Sequence, residues 1–127
     1  MSVQPSDFSN IATTLVEGTS EIEWRVSASR AYYASYHHAL SVVDLCPNND
    51  HFAMGSHERI SDRFLLHGIT SAKSISYMLN AMKKLRHVAD YEISDDFQKE
   101  LALKQISTMN GLISKLTEFN LKHRATA

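Results

Sequence analysis

Apolar residues recur along this chain at three- and four-residue intervals, inside segments bounded by glycine, proline and Ser/Asp/Asn clusters. That spacing predicts helices, and no strand pattern competes with it. Ser6 is expected to cap a first helix through Phe8, Ile11, Leu15 and Val16, which Gly18 ends. Ser20 and Glu23 form the S-x-x-E capping box of a second, over residues 21–45, followed by the turn-forming loop Cys46-Pro47-Asn48-Asn49-Asp50. Ser56 caps a short third helix through Ile60, Phe64 and Leu65, terminated by Gly68. Thr70 or Ser71 starts a fourth, whose Ile75, Met78, Leu79, Met82, Leu85 and Val88 form one apolar stripe. Ser94, Asp95 and Asp96 provide a capped, acidic start for a fifth, which continues through Phe97, Leu101, Ile106, Met109, Ile113 and Leu116. The expected fold is all-α, a bundle of four to five helices in one domain covering residues 1–127.

The second helix differs from the rest. Ile22, Val26, Tyr33, Tyr36, Leu40 and Val43 line one side, while Trp24, Ala28, Ala31, Tyr32 and Val42 cover much of the remainder. A helix apolar nearly all round is buried nearly all round, so this one requires a central position or a partner chain. Ala28, Ala31, Ala34 and Ala39 permit close helix approach in either case.

A length of 127 residues suits a single core, and 43% hydrophobic with 21% charged residues is the balance of a packed globular domain. The longest uncharged stretch, residues 31–43, carries two histidines and three tyrosines and falls short of the roughly 20 apolar residues of a membrane span. The opening MSVQPSDF has no basic start and no apolar run, and Cys46 is the single cysteine, so a cytoplasmic protein without an internal disulfide or a membrane is expected. The net charge of −1 argues against tight sequence-independent binding to nucleic acid but leaves room for a local basic site. Lys83, Lys84, Arg86 and His87 are one such cluster, read most simply as a solvated face that complements the helix dipole.

Two constellations carry candidate chemistry. Arg30, Tyr33 and His37 stand at i, i+3 and i+7 of the second helix and share a face with Val26 and Ser41. A guanidinium and an imidazole on an apolar face need polar company. Either Arg30 pairs with a carboxylate such as Asp90 while His37 is a hydrogen-bonded core residue, or Arg30 holds a phosphate while His37 moves a proton. Arg86, Asp90 and Tyr91 form the second group near the end of the fourth helix, where an exposed i, i+4 pair would add only a few tenths of a kcal/mol. His57, opening the third helix, would bind an anion there or sit on the surface. Zinc is the weaker alternative for the seven histidines, which show no H-E-x-x-H spacing, and no cofactor is expected. No Gly-rich phosphate loop or G-x-S-x-G elbow occurs, and Cys46 has no base beside it.

Taken together, Ser29-Arg30-Ala31-Tyr32-Tyr33-Ala34-Ser35-Tyr36-His37-His38-Ala39, then Ser56-His57 with Phe64, then Leu85-Arg86-His87-Val88-Ala89-Asp90-Tyr91-Glu92 resemble the HEPN domain family over most of the chain. Bacterial members often read S-R-x-Y-Y-A-x-F-H, then a histidine opening the next helix, then R-x-x-A-D-Y, and Tyr36 stands here where phenylalanine is usual. The resemblance implies an up-and-down helical bundle that forms a homodimer across its polar motif. It also implies an RNA-directed function. Many members resemble metal-independent ribonucleases of toxin-antitoxin, CRISPR and phage-defence systems, in which an R-x4-6-H motif from each protomer meets at the dimer cleft. Others bind nucleotides or partner with small nucleotidyltransferases or antitoxins. This sequence departs from the nuclease motif: four residues intervene between Arg86 and Tyr91, where histidine is usual, and His87 directly follows the arginine. Arg30 and His37 satisfy R-x6-H on a different helix.

Metal-free RNA cleavage needs a base for the 2′-hydroxyl, an acid for the 5′-oxygen and a cation for the phosphorane. Arg30, His37, His57, Arg86, Asp90 and Tyr91 are the candidates, provided they converge. A binding module would need only the arginines and stacking tyrosines, and a structural or antitoxin-pairing bundle none of them in a common cleft.

Overall fold

The computed structural model describes residues 2–124, and every regular element among them is helical: α1 (Pro5–Val16), α2 (Glu21–Leu40), a 3-10 turn (Val43–Leu45), α3 (Ser56–His67), α4 (Thr70–Tyr91) and α5 (Lys99–Arg124). The all-α expectation holds, and several boundaries move for identifiable reasons. Proline is favoured at the first helical position, so α1 begins at Pro5 rather than after a Ser6 cap, and the Gln4 N–H donates to Asp7 Oδ2 at 2.6 Å. The Ser20–Glu23 capping box forms as expected, with Ser20 N–H and Oγ–H both donating to Glu23 Oε1. Helix α2 stops at Leu40 instead of Leu45. Ser41 Oγ–H donates to His38 O, and the chain turns so that Val42, Val43 and Cys46 all enter the core. Gly55, not Ser56, caps α3, and Gly68 ends it at φ 88°, a left-handed position glycine adopts without strain.

Helix α2 occupies the centre, packed against α1, α4 and α5, but it is not buried all round as its composition led one to expect: Ile22, Val26 and Leu40 remain exposed on its outer side. Its inner surface consists of small residues. Ala28, Ala31, Ala34 and Ala39 are fully buried, and Ser27, Ser29 and Ser35 lie among them. The serines are satisfied by hydrogen bonds, Ser27 Oγ–H donating to Ala12 O at 2.7 Å and Ser35 Oγ–H to Ala31 O at 3.1 Å. Buried Gln105 on α5 ties three helices together, its Nε2 donating to Ala28 O and Met82 O. Phe64, Ile75, Met82, Met109, Leu112 and Phe119 fill the larger volumes between them.

The connection from α2 to α3 is pinned from α3. Arg63 donates to the carbonyls of Cys46 and Pro47, while Asn49, with no exposed surface, donates to Arg59 O and Asp62 Oδ2. These bonds anchor the start of α3 against the body of the bundle.

The segment expected to open the fifth helix does something else. Ser94, Asp95 and Asp96 stay outside it, because Phe97 is driven into the core at 1% exposure and its N–H donates to Glu21 Oε1 at 2.8 Å. That bond, opposed by partial burial and then aided by Arg25, holds the Glu21 carboxyl below the usual carboxylate range. Arg25, itself 5% exposed, lies over the Phe97 ring at 5.4 Å. Its Nη1 donates to Val88 O and Ala89 O, its Nη2 to Glu92 O and Asp95 O, and its Nε to Glu21 Oε2. One buried cation thereby closes the C-terminal end of α4 and fixes the loop beyond it. Arg25→Met preserves much of the apolar stem and leaves those carbonyls without a donor. Urea or thermal unfolding is expected to register a loss of about 3 to 5 kcal/mol, and a loss below about 1 kcal/mol would contradict the clamp.

Candidate functional site

Helix α2 places Tyr32, Tyr33 and Tyr36 along the flank that faces the first turn of α3 and the second half of α4. Tyr32, 2% exposed, brings its hydroxyl to 2.5 Å from Nδ1 of His57. Three tyrosine rings wall that imidazole, Tyr36 at 4.4 Å, Tyr32 at 5.5 Å and Tyr33 at 5.9 Å between centroids. From α4, Arg86 lays its guanidinium 5.5 Å from the Tyr32 centroid and 5.7 Å from that of Tyr33, and Arg30 reaches Tyr33 from α2 at 5.2 Å. The two arginines therefore meet on a single tyrosine. Asp90 approaches Arg86 only to 3.7 Å and accepts a hydrogen bond from buried Ser29 at 3.1 Å. The Nε of Arg86 is buried without any hydrogen-bond partner.

Burial sets the protonation states. It pushes His57 below the ordinary histidine value, and the positive charges of Arg86 and Lys83 and then His37 push the same way, so the imidazole is uncharged at neutral pH. Burial raises Tyr32 far above the ordinary phenol value despite the opposing charge of Arg86, so its hydroxyl keeps its proton. The Tyr32–His57 bond thus joins two neutral groups, each able to donate or accept. With Nδ1–H donated to the Tyr32 oxygen, Nε2 carries a lone pair; in the opposite tautomer Nε2 carries the proton.

Five of the six residues singled out from the sequence belong to this neighbourhood. His57 and Arg86 form its centre, Arg30 and Asp90 its edges. His37 packs against Tyr36 at 5.3 Å and Phe8 at 5.2 Å, beside a depression of about 480 Å³ that Val3, Phe8 and Leu40 also line. The Arg30–Asp90 pair, one of the two alternatives the sequence left open, does not form, because Asp90 sits one helical turn from Arg86 on α4 and is held there by it and by Ser29. Tyr91 falls outside the cluster. It is 63% exposed and packs against His87 at 4.8 Å with the rings tilted 40° to each other, on another side of the helix. Sequence reasoning undervalued Tyr32, Tyr36 and Ser29, although Tyr32 and Tyr36 stand at i and i+4 on the arginine-bearing helix. Among the described residues no group of three His, Cys, Asp or Glu side chains is placed to hold a metal ion, and no helix is long and apolar enough to cross a membrane.

Comparisons with family models, with curated proteins and with solved structures give no match to this chain.

Protonation of His57 has a consequence for stability. Burial first, and then the charge of His37, also holds His38 below its ordinary value. As pH falls below the ordinary histidine value of 6.5, the unfolded chain takes up protons that folded His57 and His38 refuse, so stability must fall until the pH passes their lowered folded values. Urea midpoints measured from about pH 7 down to about pH 5 should decline, and His57→Gln should make the decline shallower. An unchanged slope in the variant would mean that His57 titrates normally.

Proposed function

We propose that this chain is an RNA-directed protein of the HEPN type, a metal-independent endoribonuclease of toxin-antitoxin or phage-defence kind that works through His57 and Arg86. The observation that carries the reading is an uncharged imidazole set beside a guanidinium whose Nε is buried without a hydrogen-bond partner and whose carboxylate neighbour stands 3.7 Å away. A buried donor in that condition favours an added acceptor, and two oxygens of a tetrahedral phosphate match the fork of the planar guanidinium. The tyrosines beside it offer faces for a base.

In the proposed reaction His57 Nε2 takes the 2′-hydroxyl proton as the 2′-oxygen bonds to phosphorus. The bond from phosphorus to the 5′-oxygen then breaks, the departing oxygen takes a proton from water, and His57 releases to the solvent the proton it took, leaving a 2′,3′-cyclic phosphate and a 5′-hydroxyl. Arg86 and Arg30 neutralise the charge that builds on the phosphorane. Tyr32 holds the ring and exchanges the Nδ1 proton with it, and Asp90 orients Arg86. Two copies of the chain are proposed to pair through this side of α2 and α4, so that each contributes to a shared cleft.

A second reading has one observation in its favour. Tyr91, at the spacing where a nuclease histidine would stand, is exposed and turned to His87, so α4 places no histidine at that position of the motif. The same arginines and tyrosines would then serve a non-catalytic RNA- or nucleotide-binding module, or a partner of an antitoxin or nucleotidyltransferase.

Cleavage of labelled RNA in EDTA separates the two. Arg86→Ala and His57→Gln are each expected to lower the rate by about 10²- to 10⁴-fold, with Arg30→Ala and His37→Ala less severe. With His57 as the base, the rate should rise with pH through its lowered pKa and level off above it. A wild-type protein that binds RNA in an Arg86-dependent manner without cutting it would establish the second reading, and one that does neither would end both. Light scattering at micromolar concentration is expected to give a dimer, and a strict monomer would remove the shared cleft.

A further inference from the structure

Helix α4 carries a second feature on the side next to Lys83 and Arg86. Lys73, Tyr77, Asn80, Lys84, His87 and Tyr91 follow one another at intervals of four, three, four, three and four residues. At 3.6 residues per turn these six directions stay within about 40° of a single line, and the row is about 27 Å long. All six are exposed, Tyr77 by 62% and Tyr91 by 63%. One exposed tyrosine would call for no explanation, but this row sets two exposed rings on either side of Lys84, with Lys73 one turn before the first ring. The charge is gathered here as well. Against a net charge of −1 for the whole chain, α4 bears Lys73, Lys83, Lys84 and Arg86 with Asp90 its sole carboxylate. Asn80, Lys83, Lys84, Arg86 and His87 enclose a depression of about 380 Å³, so the row and the Arg86 site share a wall.

We propose that this row is the bed for a single strand of RNA, which it delivers to Arg86 and His57; the inference rests on the RNA-directed reading above. Lys73 and Lys84 meet phosphates at two points along the strand, one base stacks on Tyr77 and another on the His87–Tyr91 pair. Stacking of this kind requires bases whose faces are free, which a duplex withholds, and A-form RNA presents only its backbone and shallow groove to a helix surface. With so small a positive patch on a slightly negative chain, phosphate contacts alone give weak affinity, so the aromatic contacts must supply much of the binding. Such a bed takes strands with little sequence preference, because every base has a face to stack.

The test uses the full-length protein and a labelled oligouridine of about 12 nucleotides, with an RNA duplex and a DNA strand of the same length as comparisons. Tyr77→Ala should weaken single-strand binding about 5- to 100-fold, and Tyr77→Phe should restore it, because the ring and not the hydroxyl is used. Lys84→Ala should reduce the slope of log affinity against log salt by about 0.7. The DNA strand should bind nearly as well as the RNA. A dinucleotide too short to reach Tyr77 should be cleaved, or bound, equally by wild type and Tyr77→Ala. Tighter binding of the duplex than of the single strand overturns the proposal. So does wild-type affinity in Tyr77→Ala and Lys84→Ala when Arg86→Ala has lost binding, an outcome that leaves the Arg86 site intact. Absence of any RNA binding removes both.

Discussion

The arrangement depends on one buried cation. Arg25 has five acceptors around it, four main-chain carbonyls at and beyond the end of α4 and the carboxylate of Glu21. A lone guanidinium at 5% exposure would be strongly disfavoured, and the helix end it meets would carry carbonyls with no donor. Each cost cancels much of the other, and the result is a fixed register between α2 and α4. Arg86 and Asp90 lie within the last two turns of α4, so the same clamp determines where they stand relative to Tyr32, Tyr33 and Ser29 on α2. Fold and site share a single joint.

Around that joint the site is built from contrasts in satisfaction. The serines, Gln105 and Asn49 in the interior have their hydrogen bonds supplied, as buried polar groups must. Arg86 does not. Its charge rests on two aromatic faces, its ion pair with Asp90 at 3.7 Å is too long for a hydrogen bond, and its Nε has no hydrogen-bond partner. His57 is treated similarly, kept neutral by burial and neighbouring positive charge and supported on three sides by tyrosines. Buried groups left in such states are where ligands and proton transfers are commonly accommodated. By contrast Cys46, which burial pushes up to about 11, is an inert filler beneath the loop to α3.

Helical content, the Ser20–Glu23 box and the Gly68 stop were legible in the sequence, because each depends on residues within a turn or two of one another. Candidate residues on α2 and α4 were legible for the same reason, since periodicity puts Arg30, Tyr33 and His37, or Arg86 and Asp90, on one face whatever the partner. Their company was not. That Arg86 would lie on Tyr32 and Tyr33, that His57 would bond to Tyr32, and that Asp90 would take Ser29 instead of Arg30 all involve residues far apart in the chain, brought together by packing. Two of the misplaced boundaries have the same origin: local signals favoured helix through Leu45 and from Ser94, but burial of Val42, Val43 and Phe97 and the pull of Arg25 on Asp95 overrode them. Local spacing decides which faces a helix has; only the three-dimensional packing decides what each face meets, because burial and charge pairing are properties of neighbours in space.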